Sequence, residues 1–382
     1  MQGRFANRPP SIHTLNEDKS VRFHRLRRRA AVVSLLLSLA LLVWLLLDGT
    51  AWLRDAAVSL AGADALSPLT IAIYVLLLAA LGEIVALPLA FYRTFLLERR
   101  YGLSHEPART WLQDHAKASA LGVVFGVAAA EVVYFTIRWW PGGWWLVSAL
   151  LLTGAVVVLT RLTPTLLLPM FYRFTPLDRD SLRARLLALS KRAGVPVLGV
   201  YEWGMGAKTN RANAALVGSG ATRRILVSDT MLAEYSDDEI EVILAHELGH
   251  HVHHDIPTAV AVEFALLLAG FSLAGIALDR SWRPLGLAGP ADVAGLPLLM
   301  LAAGFTVVMA KPLVNALSRG TERRADRFAL GLTEQPQAFI TAMRRLGTQN
   351  LAEQRPSRLS LWFFHTHPPI EERIEAAKEF RA

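Results

Sequence analysis

In this chain of 382 residues, the residues best placed by type and spacing to do chemistry are His246-Glu247-Leu248-Gly249-His250. Two histidines four apart lie on one helical face, a single turn from each other, so both imidazoles can reach one metal ion. Glu247 projects beside the pair, where it can take a proton from a metal-activated water. In a chain of this length the pattern arises by chance at roughly the one-per-cent level. A catalytic zinc needs a third protein ligand and an open fourth position for water. The chain has no cysteine, which excludes disulfides and thiol catalysis and leaves His, Asp and Glu as ligands. His251, His253 and His254 follow the motif too closely. His254 shares the face of His250 but lies about 12 Å along the axis from His246, and all three read as a solvated helix end beside a headgroup layer. A second helix must supply the ligand. Ser318 to Asp326 offers Glu322 and Asp326, four apart on one face; one carboxylate can bind the metal while the other holds a histidine through its second ring nitrogen. Arg319, Arg323 and Arg324 surround these acids, so the residues taken alone read more readily as an exposed, charged helix end.

The elements that must position these groups are visible around them. Ser236-Asp237-Asp238-Glu239 is a capping box, with the Ser side chain capping the helix while Glu239 reaches back to the Ser amide. It predicts a helix from about 237 through 254. Upstream, 178–193 reads as an amphipathic helix closed by Gly194. Three strand-like runs follow near Val195–Trp203, Ala212–Val217 and Arg224–Ser228.

Around this segment the chain is unusually apolar, 53% hydrophobic. Stretches long enough to span a bilayer fall at about 30–47, 67–92, 116–138, 144–168, 256–278 and 293–312. The formal charge of +8 gathers beside these stretches rather than forming an aromatic-interleaved patch, so it reads as orientation signal and not as a nucleic-acid surface. Arginines crowd the tail before the first stretch and the loop carrying Arg93, Arg99, Arg100 and Arg109. The loop after the first stretch holds only Arg54 beside Asp48, Asp55 and Asp64, and Trp139 to Trp145 forms an aromatic belt. Positive-inside logic places the N-terminus, 169–255 and the C-terminus in the cytoplasm. The expected organisation is a basic tail over 1–29, four spans over 30–168, a first catalytic part over 169–255, a transmembrane hairpin over 256–312 and a second catalytic part over 313–382.

The sequence resembles the M48 family of membrane metallopeptidases, which includes the Ste24-type CAAX prenyl proteases and the bacterial HtpX-type proteases. The resemblance rests on Asn213-Ala214, the run Arg224 to Thr230, His246 to His250, the E-x-x-x-D of Glu322 and Asp326, and His367-Pro368-Pro369 followed by Glu372-Arg373-Ile374. Pro169 to Leu177 resembles the Ste24-type entry to the catalytic domain. The match is dense over about 165–378 and mainly hydropathic before that. Ste24-type enzymes have seven spans and HtpX-type enzymes four, against the six expected here. The resemblance implies a mainly α-helical polytopic membrane protein with a small α+β zincin-like catalytic domain. It implies one zinc on His246, His250 and Glu322, Glu247 as catalytic base and Asp326 supporting the site. His367 and Arg373 are implied aids to substrate or transition-state binding.

In this reading Glu247 takes a proton from zinc-activated water and returns it to the leaving amine, while His367 or Arg373 helps hold the oxyanion. Asn213 and Ala214 open the natural edge strand, onto which an extended peptide could add; an interior strand is the alternative. His250 lies about six residues before the fifth span and Glu322 about ten after the sixth. Both ligands therefore sit roughly 10–15 Å beyond the apolar boundary. The site belongs at a membrane surface, suited to membrane-associated or misfolded membrane proteins. Glu83, Glu131 and Glu263 lie within spans, where they are either isolated hydrogen-bonded carboxyls or the lining of a polar chamber. Arginine outnumbers lysine 34 to six, a GC-rich bacterial signature that favours quality control over C-terminal CAAX processing. A scaffold or transporter with a decayed site is the non-enzymatic alternative. The inner or plasma membrane is the expected location.

Overall fold

The computed structural model describes residues 12–218 and 220–381. In chain order the helices are α1 Ile12–Trp44, α2 Thr50–Ala61, α3 Pro68–Phe91, α4 Leu97–Arg100, α5 Ala108–Trp139, α6 Trp144–Leu162, α7 Asp180–Arg192, α8 Asp229–Glu234, α9 Asp237–Val252, α10 Asp255–Ser281, α11 Leu296–Thr333, α12 Pro336–Gln349, α13 Arg358–Phe364 and α14 Ile370–Glu379. Four short strands lie between them: β1 Phe174–Pro176, β2 Gly199–Trp203, β3 Ala214–Val217 and β4 Arg224–Ser228.

Among the described residues, six helical stretches are long and apolar enough to cross a membrane: Lys19–Ala61, Pro68–Arg100, Ala108–Trp139, Trp144–Met170, Asp255–Ser281 and Val293–Thr333. Away from the sheet, their ends are tied by buried polar contacts, as groups cut off from water require. Thr50 Oγ1 lies 2.7 Å from the Tyr74 hydroxyl and donates to Ala294 O at 2.5 Å. Thr136 meets Ser148 at 2.6 Å, and Arg54 pairs with Asp292 at 2.7 Å. Helices α10 and α11 pack closely because Gly270 sets bare backbone against Ala303 and Thr306.

The other end carries the sheet, ordered β1-β2-β4-β3. Strand β2 runs parallel to β4, while β1 and β3 pair antiparallel to their neighbours. Period-two alternation gives the sheet two faces. Val200, Ile225, Val227, Ala214 and Leu216 pack with α7 and α9 in the main core. Tyr201, Trp203, Leu226, Ala215 and Val217 form a second cluster on the opposite face. The capping box of Ser236 and Glu239 is present, and Gly194 ends the turn after α7 at φ +70°.

Three expectations change. The first eleven residues of the anticipated basic tail lie outside the described residues, and the remainder of that tail is helical: α1 enters a bilayer only after its first turns dock on the catalytic part. There Phe23 is fully buried against Leu97, Tyr101, Leu103 and Leu351. Arg28 pairs with Glu353 at 2.5 Å, and His24 Nε2 lies 2.8 Å from Leu351 O. Second, the motif helix stops at Val252, because His254 adopts a left-handed φ of +57° and α10 starts anew at Asp255. Third, β1 adds a strand that no hydrophobic alternation announced.

Same-side contacts gather the catalytic end. The turn after α4 is bonded to the sheet region through Asn210 N to Leu103 O at 3.0 Å and Arg211 to Glu98 at 2.8 Å. With α1 bound to Glu353, the start of α1, the α4 turn and the sheet lie on one side of the spans. The expectation that these parts share a side agrees with those contacts.

Candidate active site

The site forms where α9 crosses α11. A Cβ at Gly249 would stand 3.1 Å from Ala325 Cα, so the glycine in the motif permits this close approach. The crossing carries His246 and His250 to Glu322. Their Nε2 atoms stand 3.2 Å apart; Glu322 Oε2 lies 3.2 Å from His246 Nε2 and its Oε1 3.6 Å from His250 Nε2. Atoms about 2.0–2.1 Å from a tetrahedral zinc would be separated by about 3.3 Å, so the spacing fits the ion. Two further observations agree. Facing Nε2 atoms repel unless a cation or proton lies between them, and Glu322 Oε2 is buried without a hydrogen bond of acceptable geometry. His246, His250 and Glu322 together form a group able to hold a metal.

Supporting groups occupy the outer nitrogens. Asp326 lies 2.8 Å from His246 Nδ1, and Asp255 lies 2.8 Å from His250 Nδ1. Arg373 grips Asp326 with Nε at 2.9 Å and Nη2 at 2.6 Å, and its Nη2 is 3.4 Å from His246 Nδ1. Burial lowers the His246 imidazole, but the neighbouring carboxylates of Asp326 and Glu322 outweigh it and raise it to about 9. Burial raises the Glu247 carboxyl; the positive fields of His246 and His250 oppose the rise and the Glu322 charge assists it.

His367 stands at the mouth, its side chain 62% exposed and Nε2 3.3 Å from Glu322 Oε1. Arg373 instead lies behind His246, against Asp326. Ala214 opens β3, an edge of the sheet, with Asn213 just before it. Asn213 O accepts from Ser228 N at 2.9 Å, so by antiparallel alternation Ala214 and Leu216 turn their backbone groups outward. His251 Nε2 lies 3.4 Å from Leu216 O, a more specific place than a solvated helix end. Asp255 escaped the sequence reading because only the left-handed break at His254 returns it to His250.

Between the spans lies a cavity of about 850 Å³. Of the three in-span acids only Glu83 lines it, with His115 Nε2 at 2.5 Å and Ser119 Oγ at 3.3 Å from its carboxylate.

Comparison with known proteins decides the family. Residues 176–381 match the model of Peptidase family M48, and residues 11–173 match CAAX prenyl protease N-terminal, five membrane helices. This chain belongs to peptidase family M48. As an M48 protein it is a multi-pass membrane metalloprotease, and its relatives agree. It is 31% identical to the Uncharacterized metalloprotease YhfN of Bacillus subtilis over 80% of this chain and 72% of that one. It is 28% identical to the CAAX prenyl protease 1 homolog of Arabidopsis thaliana over 77% and 70% of the two chains. The crystal structure of S. mikatae Ste24p shares the fold, with a TM-score of 0.83 at 23% identity over 98% of this chain and 92% of that one.

Proposed function

We propose that this M48 protein is a zinc metalloendopeptidase. It binds one ion through His246, His250 and Glu322 and cuts membrane-associated or misfolded membrane proteins at the cytoplasmic face of a cell membrane. The observation that carries the reading is the convergence of the His246 and His250 Nε2 atoms on the Glu322 carboxylate, with Glu247 on the same helix. When bound, zinc lowers the pKa of its water toward about 7 and polarises the scissile carbonyl. Glu247 takes the proton and passes it to the leaving amine; its raised pKa suits both steps. His367, exposed at the mouth, can donate to the oxyanion. Asp326, Asp255 and Arg373 hold the histidine rings in place. The outward groups of Ala214 and Leu216 bind the peptide backbone as an added strand, so selection depends on extendability more than on sequence.

C-terminal CAAX processing is the second reading, favoured by the family match over 11–173 and by the name of the Arabidopsis thaliana relative. The test compares wild type with Glu247→Gln for bound zinc, for cleavage of an unfolded membrane protein and for cleavage of a prenylated CAAX peptide. Zinc retained with both cleavages lost in the variant supports the mechanism; equal cleavage by both proteins sinks it. Wild-type cleavage of the prenylated peptide alone selects the second reading.

A further inference from the structure

The sheet face turned away from the motif helix has no part in the chemistry above, yet it walls a cavity of about 580 Å³. Its other wall is the segment in which the fourth span ends. From Thr163 to Met170 the α-helix loosens and then tightens into a 3₁₀ turn, so Pro164, Thr165 and Pro169 line the opening. The remainder is aromatic and apolar, with Tyr172, Phe174 and Tyr201 prominent. One end of the cavity is therefore continuous with the membrane-spanning surface, and the other lies against the sheet.

Two cations line it, Arg173 and Arg224, and no acid does. Among the described residues neither arginine has a carboxylate within ion-pair distance, unlike Arg179, Arg185, Arg211, Arg324 and Arg373 of the same end. The Arg224 guanidinium lies 5.4 Å from the centre of the Tyr201 ring, and its Nε is buried without a hydrogen-bond partner. Trp203 Nε1, on the same face, is buried and unpartnered too. Buried donors left unpaired are costly, and the buried Nε of Arg224 with the second, exposed guanidinium of Arg173 beside a membrane end calls for an anion with an apolar tail.

We propose that this cavity binds an anionic phospholipid of the leaflet on the catalytic side. Its phosphate sits between Arg173 and Arg224, and the start of its acyl chains runs out past Pro164 and Pro169. Guanidinium forks suit phosphate oxygens, and basic pockets at the ends of spans are a known form of headgroup recognition. Val217 of β3 also lines the cavity, so an occupant braces the free edge strand from behind.

The test uses the full chain in neutral detergent. Native mass spectrometry reads lipid retained after exchange into phosphatidylglycerol or phosphatidylcholine. Wild type should retain phosphatidylglycerol preferentially, and the double variant Arg173→Gln/Arg224→Gln should lose retention by at least about tenfold, the scale of a single lost charge-assisted contact. Arg327→Gln/Arg344→Gln, on α11 and α12, is the charge-matched control and should retain it. Should the double variant fail to fold, Arg173→Gln alone carries the test, because Arg173 is exposed. Equal retention of both lipids, or undiminished retention in the variants, overturns the assignment. Displacement of the lipid by millimolar inorganic phosphate would reassign the site to a soluble anion, and displacement by a substrate peptide to the protease's own substrate; either overturns it.

Discussion

At the scale of single residues, chemistry and support divide along the two nitrogens of each imidazole. The Nε2 atoms converge on Glu322, while the Nδ1 atoms are held by Asp326 and Asp255. Glu247→Gln keeps the shape but removes the proton acceptor, so turnover should fall by about 10²–10⁴-fold with zinc content unchanged; atomic absorption beside a peptide-cleavage assay checks both. Asp255→Asn should leave the cleavage chemistry available but weaken zinc affinity by about 10–100-fold, read by competition with a chelator. An affinity unchanged in that variant would mean the His250 ring needs no carboxylate. Spacing alone made His246, Glu247 and His250 legible. Glu322 needed the family resemblance, because its arginine neighbours made a surface helix the better reading. Asp255 and the grip of Arg373 on Asp326 were not legible, since one depends on a backbone reversal and the other on contact between residues 47 positions apart.

At the scale of elements, the capping box, the helix closed by Gly194 and three of the four strands could be read from local chemistry. Strand β1 could not, being three residues long with a proline at its end, which only an edge position tolerates. The beginning of α1 was misread as a tail because arginines at 25, 27, 28 and 29 mask the buried Phe23. Its docking has a functional consequence. Glu353 is held by Arg28 and lies 3.3 Å from His365, two residues before His367. Burial raises the Glu353 carboxyl, but the His365 hydrogen bond and the Arg28 guanidinium outweigh it and bring it down to about 2. A carboxyl depressed from an unfolded value of about 4.3 gives stability that is full above that value and is lost as the pH falls toward about 2. Acid should therefore weaken the docking of α1 on the catalytic end, seen as new proteolytic cutting near residues 20–30 between about pH 4 and 2. Glu353→Gln should show that cutting at neutral pH and a lower kcat through a loosened His367 loop; protection as in wild type would rule the clamp out.

At the scale of the whole molecule, one helix sets where the chemistry happens. Helix α11 has 38 residues, about 57 Å at 1.5 Å per residue, nearly twice the hydrocarbon thickness of about 30 Å. Its first half can span and its second must project, so Glu322 stands beyond the boundary by simple length. The six spans were legible for that reason, because apolar runs need no tertiary contact. The cavity between the spans was not, since which in-span acid faces it depends on helix rotation. Glu83 lines it, and Glu131 and Glu263 do not. A carboxylate paired with His115 in such a place is expected to meet water rather than lipid. The chain's lack of cysteine makes the test clean. In proteoliposomes, Glu83→Cys and Ser119→Cys should react with a membrane-impermeant thiol reagent, whereas Glu131→Cys, Glu263→Cys and the control Val307→Cys, exposed on the outside of the sixth span, should not. Protection of Glu83→Cys and Ser119→Cys to the level of Val307→Cys would make the cavity dry and leave the Glu83–His115 pair a structural contact only.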